Sequence, residues 1–213
     1  MQVNPGGKIP EASMGHGAML GGEIVIPLPD KKYSVIVADP PWQYRNKKTG
    51  GSMKSGSASK YPTMSLEEIC DLPVRNICEK NAILFLWGTT PLPQYPLDVM
   101  RVWGFKFKTK IYWVKPRLGM GFWYRGGVEE CLIGIRGKNP AFRSSKPNII
   151  MAPARKHSQK PEEFFGLVEP ELDKANLSSR IELFARESHA KWDSWGNEVV
   201  GSIAVSNDGV VER

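Results

Sequence analysis

The chain has 213 residues, 41% of them hydrophobic and 24% charged, and a net charge of +7. That balance describes a globular protein able to bury a core. No apolar run approaches the roughly 18 residues of a membrane span, and the first ten residues hold a lysine, two glycines and two prolines where a signal peptide would be apolar. The positive excess points toward a polyanionic partner, nucleic acid among them.

Residues 1–21 are rich in Gly, Met and small side chains without periodicity and read as a loosely ordered arm. A single domain is expected over 22–205, with a short tail at 206–213. Ile24-Val25-Ile26-Pro27 has the makings of an edge strand. Tyr33 to Ala38 (YSVIVA) is nearly continuous in apolar residues, as in a strand buried on both faces. Asp39-Pro40-Pro41-Trp42 stops it at once, because proline continues neither strand nor helix. Residues 45–60 hold five basic residues, no acid and seven Gly or Ser, the composition of a flexible basic loop.

Ser65 with Glu68 has capping-box form and opens a helix that Pro73 ends or interrupts. Ala82 to Trp87 (AILFLW) is a second buried strand, Leu92 to Val102 a helix, and Lys108 to Val114 and Cys131 to Ile135 are further strands. Pro161 to Val168 reads as a helix with proline in its first turn, and Arg180 to Phe184 as the last strand. Strands alternating with helices predict an α/β domain with a mostly parallel sheet. Cys70, Cys78 and Cys131 are odd in number and at no metal-ligand spacing. Cys70 and Cys78 are placed as core residues of a helical region, in a reducing compartment without structural disulfides.

A buried strand that stops at Asp39-Pro40-Pro41-Trp42 delivers a carboxylate, two carbonyls and an aromatic ring to the C-terminal edge of a parallel sheet, where open α/β sheets bind ligands. The prolines remove two backbone donors. Asp39 and the Pro40 carbonyl could therefore accept both protons of a flat exocyclic amine such as adenine's and turn its lone pair toward a methyl donor. Trp42 offers a face for stacking on the base. The competing reading of the tetrapeptide is a surface turn, and its position directly after a buried strand argues against that.

The segments VIVADPPW, YPTMSLEEI, AILFLWGT, IYWVKPR, VEECLIGIRG, HSQKPEEFF, IELFAR and GNEV, in this order, resemble the S-adenosylmethionine-dependent N6-adenine methyltransferases. The chain looks like the branch containing the catalytic subunit of the eukaryotic messenger-RNA adenosine methyltransferase. The resemblance implies a Rossmann-like methyltransferase fold, helices on both faces of the sheet, and a circularly permuted order in which the catalytic motif precedes the cofactor turn.

It also implies roles. Asp39 and Pro40, with Pro41 and Trp42, form the catalytic motif, and Asp39 touches the cofactor as well. Tyr61 lines the adenine pocket with Glu129 as its acidic partner. Lys160 takes the methionine carboxylate beside a helix start, where backbone N–H groups converge. Leu183 and Phe184 belong to the strand and turn that cup the cofactor. Arg186 and Asn197 hold ribose hydroxyls, and Glu198 stands where the family often has glutamine. His189 lies near this site in sequence without an assigned role. No metal is expected. Lys47, Lys48 and Lys54 of the basic loop are candidates for contact with substrate phosphates.

A compact member without an added RNA-binding module is expected to be prokaryotic or viral and cytoplasmic, with S-adenosylmethionine as cofactor and DNA as substrate. RNA is the alternative. A catalytically silent nucleic-acid-binding subunit is a third reading, opposed by the intact tetrapeptide with Lys160, Arg186 and Asn197. No membrane association is expected, and a homodimer or a second subunit could help hold the substrate.

Overall fold

The computed structural model describes residues 19–20, 23–24, 27–43, 63–119, 123–138, 144–155 and 159–196. The basic loop 45–60 and the tail 206–213 lie outside the described residues. The expected N-terminal arm is described only at its end, where Met19–Leu20 (β1) pairs antiparallel with Glu23–Ile24 (β2).

Tyr33–Ala38 (β3) has all six residues buried, as its unbroken apolar run predicts. It lies between Cys78–Trp87 (β4) and Arg180–Leu183 (β8), parallel to both. Asp193–Trp195 (β9) extends this side in parallel. On the other side, Val128–Arg136 (β6) pairs antiparallel with β4 and with Lys106–Val114 (β5). Ile149–Met151 (β7) then pairs parallel with β5. The seven-stranded order is β7-β5-β6-β4-β3-β8-β9, and β6 alone runs against the rest.

Strand alternation sends apolar side chains to both faces. Ile36, Ala38, Leu84, Leu86, Ile181 and Leu183 meet Leu66–Asp71 (α1) and Gln94–Val102 (α2) through Ile69, Val99 and Met100. Val35, Val37, Ile83, Phe85 and Trp87 meet Glu163–Lys174 (α3) through Phe164, Val168 and Leu172. Helices thus cover both faces of a mostly parallel sheet, as expected. No helix among the described residues is long and apolar enough to cross a membrane.

The α1 start is the predicted capping box: the Glu68 amide donates to Ser65 Oγ and the Ser65 amide to Glu68 Oε2. α1 ends at Asp71, ahead of Pro73, and a 3-10 turn over Val74–Ile77 follows. Two expectations need correction. Cys78 is not helical; it opens β4, four residues before the apolar run that marked that strand. α3 runs six residues past Val168 and contains Pro170, whose missing N–H removes one hydrogen bond from the helix without ending it.

Candidate active site

β3 delivers Asp39 to the C-terminal edge of the parallel strands. The Asp39 amide donates to the Leu183 carbonyl at 3.4 Å, which ties the ends of β3 and β8 together. The two prolines that follow turn the chain sharply: the Trp42 amide donates to the Pro40 carbonyl (2.8 Å), and the Met64 amide to the Pro41 carbonyl (2.8 Å). Trp42 departs from expectation. Its ring is 6% exposed within the α1/α2-face core, and its indole N–H donates to the Trp87 carbonyl at 3.1 Å. Its face is spent on packing, so it anchors the tetrapeptide instead of offering a surface to a base.

Asp39 meets Lys160, which lies 121 residues later, just before α3. Lys160 Nζ is 2.7 Å from Asp39 Oδ2 and 3.4 Å from Glu129 Oε2, and it sits over the Trp87 ring, 5.3 Å from its centroid. The Lys115 ammonium binds the other Glu129 oxygen and lies 4.5 Å above Trp113. Arg155 holds the Lys160 backbone in place: its Nη1 donates to the Lys160 carbonyl (3.3 Å) and to Glu187 Oε1 (2.8 Å).

These charges shape each other. Burial pushes the Asp39 carboxyl above its ordinary range, and Lys160 only partly relieves it. For Glu129 burial acts in the same direction, but Lys160 and Lys115 outweigh it and hold the carboxyl below its ordinary value. Burial opposes the Lys160 charge, yet Asp39 and Glu129 raise its affinity for the proton above that of an ordinary lysine. The result is a buried, protonated ammonium between two acids.

Asp39 and Lys160 also line an open cleft of about 320 Å³ with Gln159, Phe165, Glu182, Phe184, Arg186, Glu187 and His189. The β8–β9 turn makes one wall. Phe184 takes a φ of 62°, in the left-handed region, and packs edge-on against Trp195 at 5.5 Å. The turn fits because residue 196 is glycine: a Cβ there would stand 2.5 Å from the Ala185 carbonyl oxygen. His189 lies over Phe165, with ring centroids 3.9 Å apart, and burial lowers its pKa. It enters the site as a neutral wall.

The structure therefore brings Asp39, Lys160, Glu129, Phe184 and Arg186 to one edge. Leu183 is a correction. Its side chain is fully buried on the α1/α2 face, because strand alternation turns it away from the cleft. Its neighbour Glu182 faces the cleft instead, and the sequence reading missed it. Strand alternation finds it, because buried Ile181 and Leu183 leave the residue between them on the opposite face. Tyr61, Lys47, Lys48, Lys54, Asn197 and Glu198 lie outside the described residues.

Glu182 is unusual. Its Oε2 is buried without a hydrogen-bond partner, and the neutral His189 ring stands 3.8 Å away. Burial, then Asp39 and Glu187, push its pKa up to about 8. An orphaned acid beside Lys160 and Arg186 is a donor set for a zwitterion: the cations suit its carboxylate, the acids its ammonium, and Phe165 and Phe184 an apolar body.

Comparison with known proteins follows this geometry. The MT-A70 family profile matches residues 33–198. The type II methyltransferase M.MunI from a Mycoplasma species is 36% identical over 83% of this chain and 82% of its own length. An N(6)-adenosine-methyltransferase MT-A70-like protein of Arabidopsis thaliana is 30% identical, matching 85% of this chain but 26% of its own length. The N(6)-adenosine-methyltransferase catalytic subunit METTL3 of Homo sapiens is 29% identical over 80% of this chain and 29% of its own.

Glu182 generates a stability prediction. Its folded-state pKa of about 8 lies above the ordinary carboxylate value of 4.5, so the folded protein holds this proton more tightly than the unfolded chain. Its contribution to stability is full below the ordinary value and is lost as pH rises toward about 8. Glu182→Gln should raise the melting temperature above that pH, by on the order of 2–4 °C per kcal/mol relieved, and change it little in acid. Melting curves across pH that keep the same offset throughout would rule this out.

Proposed function

Because the chain belongs to the MT-A70 family, we propose that it methylates the N6 amine of adenine in DNA, using S-adenosylmethionine. The observation that carries this reading is the Asp39–Lys160–Glu129 cluster at the sheet edge, opening on a cleft whose charges suit a zwitterion. Bound in this cleft, S-adenosylmethionine would supply an electrophilic methyl group on a sulfonium sulfur; its direct in-line transfer would form the N–CH3 bond as the S–CH3 bond breaks, with S-adenosylhomocysteine leaving and one amine proton lost.

The chain's residues position the amine. Asp39 accepts one amine proton and the second lone pair of the Pro40 carbonyl accepts the other, which favours a pyramidal nitrogen with its lone pair directed outward. Lys160 favours the ionised form of Asp39 and partly opposes the effect of its burial. Lys160 receives the methionine carboxylate, Glu182 and Asp39 face its ammonium, and Phe165 and Phe184 exclude water. Tyr61, Arg186, Asn197 and Glu198 keep the roles the family resemblance implies: the adenine pocket for Tyr61, and the ribose for Arg186, Asn197 and Glu198.

The match over 82% of a type II methyltransferase supports DNA. RNA is the second reading, favoured by the 30% identity to an N(6)-adenosine-methyltransferase. Radiolabelled methyl transfer to matched DNA and RNA oligonucleotides, with and without adenine, decides between them. Label on DNA that needs adenine is the expected result; label on RNA alone reverses the assignment. Asp39→Ala should lower turnover on the order of 100-fold or more, and a folded variant with near wild-type turnover would remove Asp39 from the mechanism.

Lys160→Ala makes a separable prediction. Cofactor affinity should fall, because a charge-assisted contact is lost. The ascending limb of the pH–rate profile should also move to higher pH, since burial of Asp39 is no longer opposed. A limb that stays in place would mean that something else holds Asp39 ionised.

Neutralising Lys47, Lys48 and Lys54 together should weaken oligonucleotide binding and flatten its salt dependence by up to roughly three phosphate contacts. Cofactor affinity should barely change. Wild-type affinity and salt slope in the triple variant would reduce this basic segment to a linker.

A further inference from the structure

β5 and β6 continue past the sheet as a hairpin. The Lys115 amide donates to the Gly127 carbonyl (2.8 Å), and the Gly119 amide to the Gly126 carbonyl (2.6 Å). Leu118 lies against Gly127, where a Cβ would come within 2.9 Å of its Cδ2. β5 runs parallel to the strand direction of β3 and β4, and its C-terminal end therefore lies at the edge that carries Asp39. The hairpin projects from that edge, and its base holds Lys115 and Glu129 of the catalytic cluster.

What it carries outward needs an explanation. Trp123 is 100% exposed and Tyr124 87% exposed. Trp123 also takes a φ of 64°, a conformation bulky side chains rarely adopt. Arg117, on the arm leaving β5, and Arg125, next to Tyr124 in the chain, are exposed and without an ion-pair partner among the described residues. Residues 115–127 contain no acid. Two adjacent rings in water, on a hairpin that also carries two unpaired guanidinium groups, bury almost nothing against the fold.

We propose that this hairpin is a nucleic-acid contact, in which Trp123 and Tyr124 stack on bases beside the target adenine and Arg117 and Arg125 take the adjoining phosphates. Aromatic rings interleaved with arginine are the means by which proteins hold unstacked bases. A second copy of the chain fits less well. A two-fold interface places the same patch on both partners, which would bring unpaired arginines together with no acid to offset them. A polyanion meets no such repulsion. The inference rests on the nucleic-acid reading of the active site and specifies where the strand lies relative to it.

The test is fluorescence anisotropy of a labelled oligonucleotide, single-stranded and duplex, titrated with the full chain at several salt concentrations. Trp123→Ala with Tyr124→Ala should weaken binding about tenfold or more and leave the salt slope intact. Arg117→Gln with Arg125→Gln should weaken binding and remove about two phosphate contacts from the slope. All four side chains are on the surface, so the fold is retained, and unchanged cofactor affinity verifies it.

Wild-type affinity in both double variants overturns the proposal. So does an aromatic variant that sediments as a smaller species than wild type while its affinity per protomer holds, because the patch would then join copies. Methyl transfer assayed on the same preparations separates the two claims. Weakened binding without wild-type methylation would unseat the enzymatic reading and leave the hairpin contact standing, whereas a methylating enzyme whose variants bind normally loses the hairpin alone.

Discussion

Two carboxylates, Asp39 at the end of β3 and Glu129 near the start of β6, share the ammonium of Lys160. In a partly buried site this charge cannot be removed without leaving acids uncompensated, and breaking such a pair is far more costly than its net contribution to stability suggests. Trp87 lies under the ammonium and Arg155 fixes the backbone that carries it. The cleft, the position of the tetrapeptide and the entry to α3 all take their places around this one cation.

Its partners come from distant parts of the chain, and the sheet closes the distance. Parallel strands bring their C-terminal ends to one edge, which collects Asp39 from β3 and the Phe184 turn from β8. β6 runs the opposite way, so its beginning arrives at the same edge and brings Glu129. The order along the chain, with the catalytic motif before the cofactor turn, is immaterial to this geometry. Only the direction of each strand at the edge matters.

Much of this was legible in the residues. The buried strands stand out as apolar runs that no surface element would tolerate, and the Ser65–Glu68 capping box announces α1 because both hydrogen bonds depend on residue type at fixed spacing. The resemblance located Asp39, Lys160 and Glu129. It could not show that they bind one another, since contact across 121 residues is a property of the sheet. Orientation was the recurrent failure. Tryptophan serves both cores and sites, and only the burial of Trp42 and its hydrogen bond to the Trp87 carbonyl make it a core residue. A motif taken as a string does not separate Leu183 from Glu182, whereas a strand presents alternate residues to opposite faces. β7 and β9, three residues each, are too short to leave a periodic signal.

The edge is also divided by charge, and the division follows the strand order. On the β8 side, Glu182 and Glu187 stand near Lys160 and Arg186, so the cleft mixes both signs. That mixture suits a small ligand carrying both charges and offers little to a phosphate chain, which would meet the acids. On the β5–β6 side the hairpin is cationic and aromatic without an acid between residues 115 and 127, which suits a polyanion with flat bases and offers nothing to an ammonium. β3 and β4 lie between the two sides, and Asp39 stands at the end of β3. A carboxylate at that boundary can face a methyl donor on one side and an amine on the other. Lys160, in contact with Asp39 in the cleft and with Glu129 at the base of the hairpin, reaches both.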